Sequence, residues 1–452
     1  MGALRRGQVD ATEGVIWKQL MALFVPLWLG TFFQQLYNTI DSVIVGRFVG
    51  KEALAAVGCT GTVVTLTVGI FGGIASGAVV VIAQQYGARR HERVQQGVHT
   101  SMFLGLVMGA FFMVAGYWLT PWVLQLMDTP ADTMADAVLY LRVYFLGMIP
   151  NVVYNMGTGV LRAVGDSRRP LYFLVAASLC NIVLDLVLVI VFEMGVLGVA
   201  VATVISQLLS AVLVVAALMR AKGQLYQLHL KQIRPEWQAT KPILRLGVPS
   251  ALQAVMYSLS NIVIQTAINS FGTDAVAAWT AYGKMDVIFW MSVSSMGLAI
   301  TTFAGQNYGA GKFDRLKQGV KVSVWITTAM AVFLSVVMTI WARPLMSIFT
   351  PDNDVLAIGA AMVRFLAPTY ITYVLVELLA GAIRGAGKSL APTLITLFGV
   401  CALRLLWMLL VVPLHKTIPM VEMSYPITWT VTSAALAVYY CKGRWLERES
   451  IS

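Results

Sequence analysis

Acidic side chains lie well inside three of the long apolar runs of this sequence, at Asp41, Asp185 and Glu377. If these runs cross a membrane, each acid is costly unless it is paired, hydrated or neutralised, so each marks a candidate functional site. Asn181 lies four residues before Asp185, and the two therefore share one face of a helix. Thr203, in the following run, can lie at a similar depth.

These residue types suit the binding of a small cation. Two carboxylates, an amide and a hydroxyl form an all-oxygen ligand set that fits a hard monovalent cation such as Na⁺. Two neighbouring carboxylates in a low-dielectric environment also cannot both be ionised cheaply, so the same group could hold a proton instead. We predict that Asp41, Asn181, Asp185 and Thr203 bind a coupling cation, either H⁺ or Na⁺. We expect no other cofactor.

The composition indicates that most of the chain lies in lipid. Of its 452 residues, 58% are hydrophobic and 12% are charged, whereas about 25% are charged in an average soluble domain. The mean hydropathy is +0.76. This composition excludes a disordered chain, a collagen and an ordinary water-soluble enzyme. The net charge of +11 comes from short basic clusters between the apolar runs, which argues against a nucleic-acid partner because such proteins carry a basic stripe.

Twelve apolar runs are long enough to cross a bilayer, since a helical span needs about 20 mostly apolar residues. The predicted spans are 17–46, 53–84, 97–120, 136–161, 170–192, 195–220, 242–270, 275–306, 318–341, 356–383, 389–412 and 421–441. Most Lys and Arg residues of the short loops lie on the side of the two termini, which the positive-inside rule assigns to the cytoplasm. We predict a multi-pass protein of the inner (plasma) membrane with both termini in the cytoplasm.

An internal repeat divides the chain into two halves. The sequence QQYGA at 84–88 recurs as QNYGA at 306–310, an offset of 222 residues, and the Arg-x-x-Gly loops after the fourth and tenth spans repeat at the same offset. Six spans per half give a parallel repeat, with a pseudo-twofold axis along the membrane normal. We predict an all-α integral membrane protein with twelve transmembrane helices in two six-helix lobes, 1–220 and 242–452, joined by a cytoplasmic linker at 221–241. Such lobes suit alternating access.

The repeat also bears on whether the acids are structural. An alternative interpretation is that Asp41 and Asp185 are structural acids, hydrogen-bonded to the nearby amide and hydroxyl groups. At the offset of 222, however, Asp41 corresponds to Val263 and Asp185 to Trp407. The fold therefore does not require a polar residue at these positions, and we assign the cation chemistry to the N-terminal lobe.

Further polar residues are candidates to line a substrate cavity. They are Gln34, Tyr37 and Asn38 in the first span, Lys284 in the eighth and Glu377 in the tenth. Tyr37 and Asn38 precede Asp41 by four and three residues and so share its helix face. For Glu377 the alternative is a hydrogen bond that packs helices together, and for Lys284 it is a structural ion pair.

The two lobes, the repeated Gln-x-Tyr-Gly-Ala loops, the Arg-x-x-Gly loops and Asp41 together resemble the MATE family, the multidrug and toxic compound extrusion antiporters. The resemblance covers essentially the whole chain. It implies efflux of cationic, amphipathic compounds in exchange for H⁺ or Na⁺. Asp41 with Asn181, Asp185 and Thr203 is similar to the bacterial and archaeal branch, which implies that Asp41 is the switch and the other three its partners.

A second branch of the family, with acids in the seventh and tenth spans, fits less well. The seventh span has Ser260, Asn261 and Gln265 but no acid, and Glu377 is about one turn closer to Arg384 than the acid of that branch. A second cation site in the C-terminal lobe is therefore not expected.

Other functions fit the sequence less well. A flippase for lipid-linked precursors, from the same superfold, would need a strongly basic cavity, and Lys284 and Arg404 keep that alternative open. A membrane enzyme is not expected, because the four histidines lie in loops or near span ends and form no metal-spaced cluster. A major-facilitator transporter would need a Gly-x-x-x-Asp-Arg-type loop after the second span. We expect the partners to be a small cationic substrate and the lipid bilayer, with the protein a monomer.

Overall fold

The computed structural model describes residues 8–446, and within them every side chain except those of Lys51, Glu52 and Arg444. All regular secondary structure in this range is helical. The first half contains α1 (Ile16–Ile44), α2 (Lys51–Gly87), α3 (His91–Leu126), α4 (Ala131–Leu146), α5 (Met148–Ala163), α6 (Arg168–Asp185) and α7 (Gly195–Met219).

The second half repeats this order with more interruptions. It contains α8 (Trp237–Asn269), α9 (Thr273–Gly309), α10 (Phe313–Ile340), α11 (Ala342–Met346), α12 (Asn353–Leu366), α13 (Ile371–Gly385), α14 (Leu390–Thr396), α15 (Leu403–Leu410), α16 (Ile418–Glu422) and α17 (Ser424–Cys441). Three segments are π-helical: Val45–Val49, Leu186–Val191 and Leu397–Ala402. Short 3₁₀ turns occupy Leu230–Gln232, Ala367–Tyr370 and Arg444–Leu446.

The apolar helices agree with the predicted spans. Between residues 8 and 446, ten helices are long and apolar enough to cross a membrane, and α4 with α5 forms an eleventh span that is bent by 50°. Pro150 lies three residues into α5, and a proline cannot donate the hydrogen bond that would continue α4 without a bend. α17 corresponds to the predicted twelfth span and is less apolar because it is rich in Ser, Thr and Tyr.

The contacts within the chain define two compact units. The first contains residues up to Asp10 and then Val25–Val248, and the second contains Ala11–Phe24 and the chain from Pro249 onward. The predicted lobe boundaries at 220 and 242 instead fall at the end of the sixth predicted span and the start of the seventh. The chain passes between the units after Asp10, after Phe24 and after Val248. The last two crossings lie at the Val-Pro dipeptides 25–26 and 248–249, which match in the repeat at an offset of 223 residues.

The repeated QNYGA motif holds the N-terminal segment within the second unit. The backbone N–H of Ala11 donates to Oε1 of Gln306 at 3.0 Å, and Nδ2 of Asn307 donates to the carbonyl of Ala11 at 3.0 Å. Arg315 donates to the carbonyls of Ala11, Glu13 and Gly14 at 3.0, 2.7 and 2.8 Å. The motif therefore satisfies backbone groups that precede α1, which is a structural role.

In the first unit, the linker and the start of α8 pack on α2 and α3. The backbone N–H of His229 donates to Nε2 of His99 at 3.1 Å. A Cβ atom added to Gly77 of α2 would lie 2.4 Å from the carbonyl oxygen of Ile243 and 2.7 Å from the backbone nitrogen of Gly247. Close backbone approach through small residues is the usual way in which membrane helices pack.

Candidate functional site

Three helices of the first unit carry the predicted cation ligands. Asp41 lies near the end of α1, Asn181 and Asp185 lie in α6, and Thr203 lies in α7. All four are buried, with exposed fractions of 8%, 1%, 0% and 5% in that order. The side chains of Asp41 and Asp185 lie within hydrogen-bonding reach of each other. The structure thus brings together two acids that are 144 residues apart in the sequence.

The two acids are followed by the same irregular backbone. α6 ends at Asp185 and continues as the π-helical segment Leu186–Val191. α1 ends at Ile44, three residues after Asp41, and continues as the π-helical segment Val45–Val49. The two π-helical segments contact each other. π-helical turns inside α-helices occur frequently at functional sites, because the wider turn changes the direction in which nearby side chains point. This irregularity places the acids at the junction of α1 and α6.

Several polar atoms of the site have no protein partner. In residues 8–446, no N–H or O–H group donates to either carboxylate oxygen of Asp185, to Oδ1 of Asp41 or to Oδ1 of Asn181, and Nδ2 of Asn181 has no acceptor. Buried polar groups are normally hydrogen-bonded, so five such atoms together need an explanation. A shared proton or a bound cation would satisfy the carboxylate oxygens. The donor set therefore fits the predicted ligand.

Tyr37 belongs to the same group of side chains. Its side chain lies near Thr203, whose own Oγ1 donates to the carbonyl of Val199 at 3.0 Å. Gln34 and Asn38, in contrast, are exposed, whereas Tyr37 is half-buried. Of the first-span cavity candidates, the structure brings only Tyr37 into contact with the predicted cation ligands.

Two tyrosines of α4 complete the surroundings, and the sequence analysis did not select them. Tyr140 and Tyr144 are buried, and their rings are stacked with centroids 6.4 Å apart. Tyr140 interacts electrostatically with Asp41 and Asp185. Nδ2 of Asn151 donates to the Tyr144 hydroxyl at 3.3 Å. Tyr140 and Tyr144 are four residues apart, which places both hydroxyls on one helix face. This spacing could have identified the two tyrosines from the sequence.

The cavity candidates of the second unit have different environments. Lys284 is exposed, whereas Glu377 is half-buried and forms an ion pair with Arg384 at 3.4 Å. The hydroxyl of Tyr373 also donates to Glu377 at 3.4 Å. Both partners lie in α13 together with Glu377. These contacts therefore do not join two helices, and both the cavity role and the helix-packing role of Glu377 stay predictions. Asp286, two residues after Lys284, accepts hydrogen bonds from other side chains, as described below.

The charge of the site limits the kind of cation that it can hold. No group of three or more His, Cys, Asp or Glu residues in the described range 8–446 could hold a metal ion. The predicted site contributes two carboxylates, one amide and one hydroxyl, and so at most two negative charges. A proton or a monovalent cation fits such a site better than a multivalent transition metal does.

Comparisons with known proteins agree with the architecture. A family model described as MatE matches residues 26–187 and again 249–409. Each match begins at one of the two repeated prolines, as the internal repeat predicts. Over 391 residues the chain is 29% identical to the probable multidrug resistance protein YoeA of Bacillus subtilis, covering 85% of this chain and 84% of the relative. It is 27% identical to the probable multidrug resistance protein YpnP of the same organism, covering 96% and 97%.

Solved structures give the same result for the fold. A MOP superfamily transporter from Pyrococcus furiosus superposes with a TM-score of 0.91 at 23% identity, covering 99% of this chain and 100% of the other. A MATE family multidrug resistance transporter in the outward-facing conformation gives a TM-score of 0.89 at 22% identity, covering 98% of both chains. The predicted fold class, an all-α membrane protein of two six-helix lobes, is confirmed.

Proposed function

The chain belongs to the MatE family, and on this basis we propose that it is a secondary active exporter. It moves cationic or amphipathic small molecules out of the cell by alternating access, in exchange for H⁺ or Na⁺. The observation that carries the coupling part of this proposal is the buried Asp41–Asp185 pair, in which Oδ1 of Asp41 and both carboxylate oxygens of Asp185 lack a donor among residues 8–446. The multidrug resistance relatives support the efflux part.

The acid pair provides a physical basis for coupling. When neither a proton nor Na⁺ is bound, two carboxylates within hydrogen-bonding reach repel each other strongly in a low-dielectric environment. Binding of either ion removes that repulsion and changes the preferred arrangement of α1 and α6. An ion that binds one state of a transporter more tightly shifts the population toward that state, and the substrate does the same in the opposite direction. The ion gradient then drives efflux.

The remaining parts of the proposal follow from composition and charge. The basic residues of the loops support a plasma-membrane protein with both termini in the cytoplasm. The coupling ion is the one inorganic ligand that we propose, with no organic cofactor and no catalytic role. The protein acts as a monomer in this proposal, because each chain contains both six-helix lobes.

The competing function is a flippase for lipid-linked precursors. Such a substrate carries a pyrophosphate, which requires several basic side chains at one site. The buried charged groups at the site of the first unit are the two acids Asp41 and Asp185, and these favour a cation. The efflux experiment below separates the two functions, because a flippase for lipid-linked precursors would not export a soluble dye in response to a pH gradient or a Na⁺ gradient.

Efflux from proteoliposomes tests the proposal. Dye efflux is compared under an imposed pH gradient and under an imposed Na⁺ gradient for the wild type and for Asp41→Asn. We expect a response to one of the two gradients, and we expect Asp41→Asn to reduce it by about tenfold or more, the scale of a typical coupling free energy. Asp274→Asn removes an exposed acid in the first turn of α9 and should leave efflux unchanged. Equal efflux by the wild type and Asp41→Asn would contradict the proposed coupling site.

A further inference from the structure

Arg404 is a buried cation that the proposed coupling site does not use. It lies in α15, inside the apolar span Leu390–Leu410 of the second unit, and its exposed fraction is 2%. The centre of its guanidinium group lies 4.3 Å from the ring centroid of Tyr425. A charge inside a membrane span is costly and usually marks a ligand or ion pathway. Arg404 therefore needs a compensating partner.

Its protein partners do not provide that compensation. A guanidinium group has five N–H donors. Nη2 of Arg404 donates to Oγ1 of Thr428 at 3.4 Å, the long end of the range for a hydrogen bond. In the part of the chain that the structure describes, Nε of Arg404 has no acceptor. The group is thus buried and under-satisfied, which is unusual for arginine in a protein interior.

The acids Asp286, Glu377 and Glu422 of the second unit do not pair with Arg404. Asp286 accepts hydrogen bonds from the Tyr370 hydroxyl and the Trp290 indole N–H, each at 2.5 Å. Glu377 is paired with Arg384. Glu422 is buried, and its Oε1 has no donor among residues 8–446. None of these carboxylates lies within 4.0 Å of the Arg404 guanidinium.

The geometry of Arg404 suits an oxyanion with an aromatic body. The contact with the Tyr425 ring provides no oxygen acceptor for the guanidinium N–H groups. Those N–H groups match a carboxylate in a two-point arrangement, which lysine cannot provide. The Tyr425 ring continues into a cluster with Trp429 at 5.2 Å and Trp279 at 6.1 Å. We propose that Arg404 binds the carboxylate of an aromatic, amphipathic ligand.

The internal repeat supports a ligand-binding role over a structural one. At the offset of 222, Arg404 corresponds to Ile182, which lies next to Asn181 in α6. The fold therefore accepts an apolar side chain at this position. The proposal rests on the transport function proposed above and specifies its substrates, which include zwitterions that carry a carboxylate.

Binding of a matched pair of dyes tests this proposal. One dye is a rhodamine with a free carboxylate, and the other is the methyl ester of the same rhodamine. Fluorescence titration of the full-length protein in detergent measures both affinities for the wild type and for Arg404→Gln. We expect Arg404→Gln to weaken binding of the carboxylate dye by about tenfold, as for loss of a charge-assisted hydrogen bond, and to leave the ester unchanged.

Control variants make the outcome specific. Arg364→Gln removes an exposed arginine in α12 of the same unit and should preserve the preference for the carboxylate dye. Arg404→Lys keeps the charge without the planar fork, so the preference should shrink; this variant provides the test if Arg404→Gln does not fold. Equal losses for both dyes, or no loss for either, would overturn the proposal.

The source of the anion and the dependence on the coupling site are tested separately. Titration in chloride and in gluconate buffer shows whether a small inorganic anion is the ligand. If chloride stabilises the wild type but the two dyes bind equally, the site binds an inorganic anion and the proposal fails. Binding in detergent needs no ion gradient, so Asp41→Asn should retain the dye preference even if the proposed coupling is wrong.

Discussion

Hydrogen-bond partners distinguish the acids of this protein at the scale of single residues. Asp286 and Glu377 lie in apolar spans, but tyrosine, tryptophan and arginine side chains donate to them. Asp41 and Asp185 also lie in apolar spans and approach each other, and Oδ1 of Asp41 and both carboxylate oxygens of Asp185 have no donor in the described range. Asp41 and Asp185 are therefore better candidates for ion binding than Asp286 and Glu377.

The acid pair should behave as one unit in mutagenesis. We expect Asp185→Asn to reduce gradient-driven efflux by about tenfold, as Asp41→Asn does, and we expect the double variant to be no worse than either single variant. The physical reason is that, in the proposed mechanism, the ion binds between the two carboxylates, so removal of one would already abolish the site. Proteoliposome efflux under the effective gradient measures all three variants.

The control for this comparison of single and double variants pairs Asp41 with an exposed acid of the other unit. Asp41→Asn combined with Asp274→Asn should show simple additivity, because these residues share no partner. Additive losses from Asp41→Asn and Asp185→Asn would instead show that the two acids act independently, and the shared ion site would then be rejected.

At the scale of helices, the departures from regular geometry coincide with the acids. Apolar periodicity predicted the spans that carry Asp41 and Asp185, but it did not predict the π-helical segments beside them. A change of hydrogen-bond register depends on the packing of neighbouring helices, which a single segment does not contain. Likewise the predicted span 136–161 is two helices that meet at a bend of 50°.

The crossing of α2 and α8 should be sensitive to side-chain size. Gly77→Leu would place a side chain against the backbone of Ile243 and Gly247, where even a Cβ atom lies within 3 Å of several atoms. We expect a loss of about 1–3 kcal/mol of stability, as for overpacking elsewhere. Thermal unfolding in detergent measures this loss as a lower midpoint.

A second glycine of α2 provides the matched control. A Cβ atom at Gly61 would meet nothing within 4 Å. Gly61→Leu should therefore leave the unfolding midpoint unchanged or raise it, since leucine favours helix more than glycine does. Similar midpoints for Gly77→Leu and Gly61→Leu would contradict the inferred close contact.

At the scale of the whole molecule, the two contact units are not simply the two halves of the sequence. Ala11–Phe24 belongs to the second unit, and the linker with the start of α8 belongs to the first. The hydrogen bonds of Gln306, Asn307 and Arg315 to the segment before α1 account for the first of these placements. The second copy of the repeated motif thus holds the chain segment before α1.

The predicted orientation in the membrane is testable at Cys441. This cysteine is exposed at the end of α17, on the side that the positive-inside rule assigns to the cytoplasm. In a variant with Cys59, Cys180 and Cys401 replaced by Ala, a membrane-impermeant maleimide should label Cys441 only after the cells are permeabilised. Labelling is measured by the mass shift of the purified protein.

The opposite side of the membrane gives the control for orientation. Asp132 is exposed in the first turn of α4, in a loop that the sequence places outside the cell. Asp132→Cys in a background that lacks the four native cysteines should be labelled in intact cells. Labelling of Cys441 in intact cells, with Asp132→Cys protected, would reverse the predicted orientation.

The sequence by itself determined the fold class, the internal repeat and which acidic residues lie inside the apolar spans. These properties depend on local composition, because a lipid solvent requires long apolar helices and makes each buried charge conspicuous. Only the tertiary structure decided that Asp41 meets Asp185 and that Tyr140 lies beside them. Those relations depend on how distant helices pack, and the spacing of residues along one helix does not contain that information.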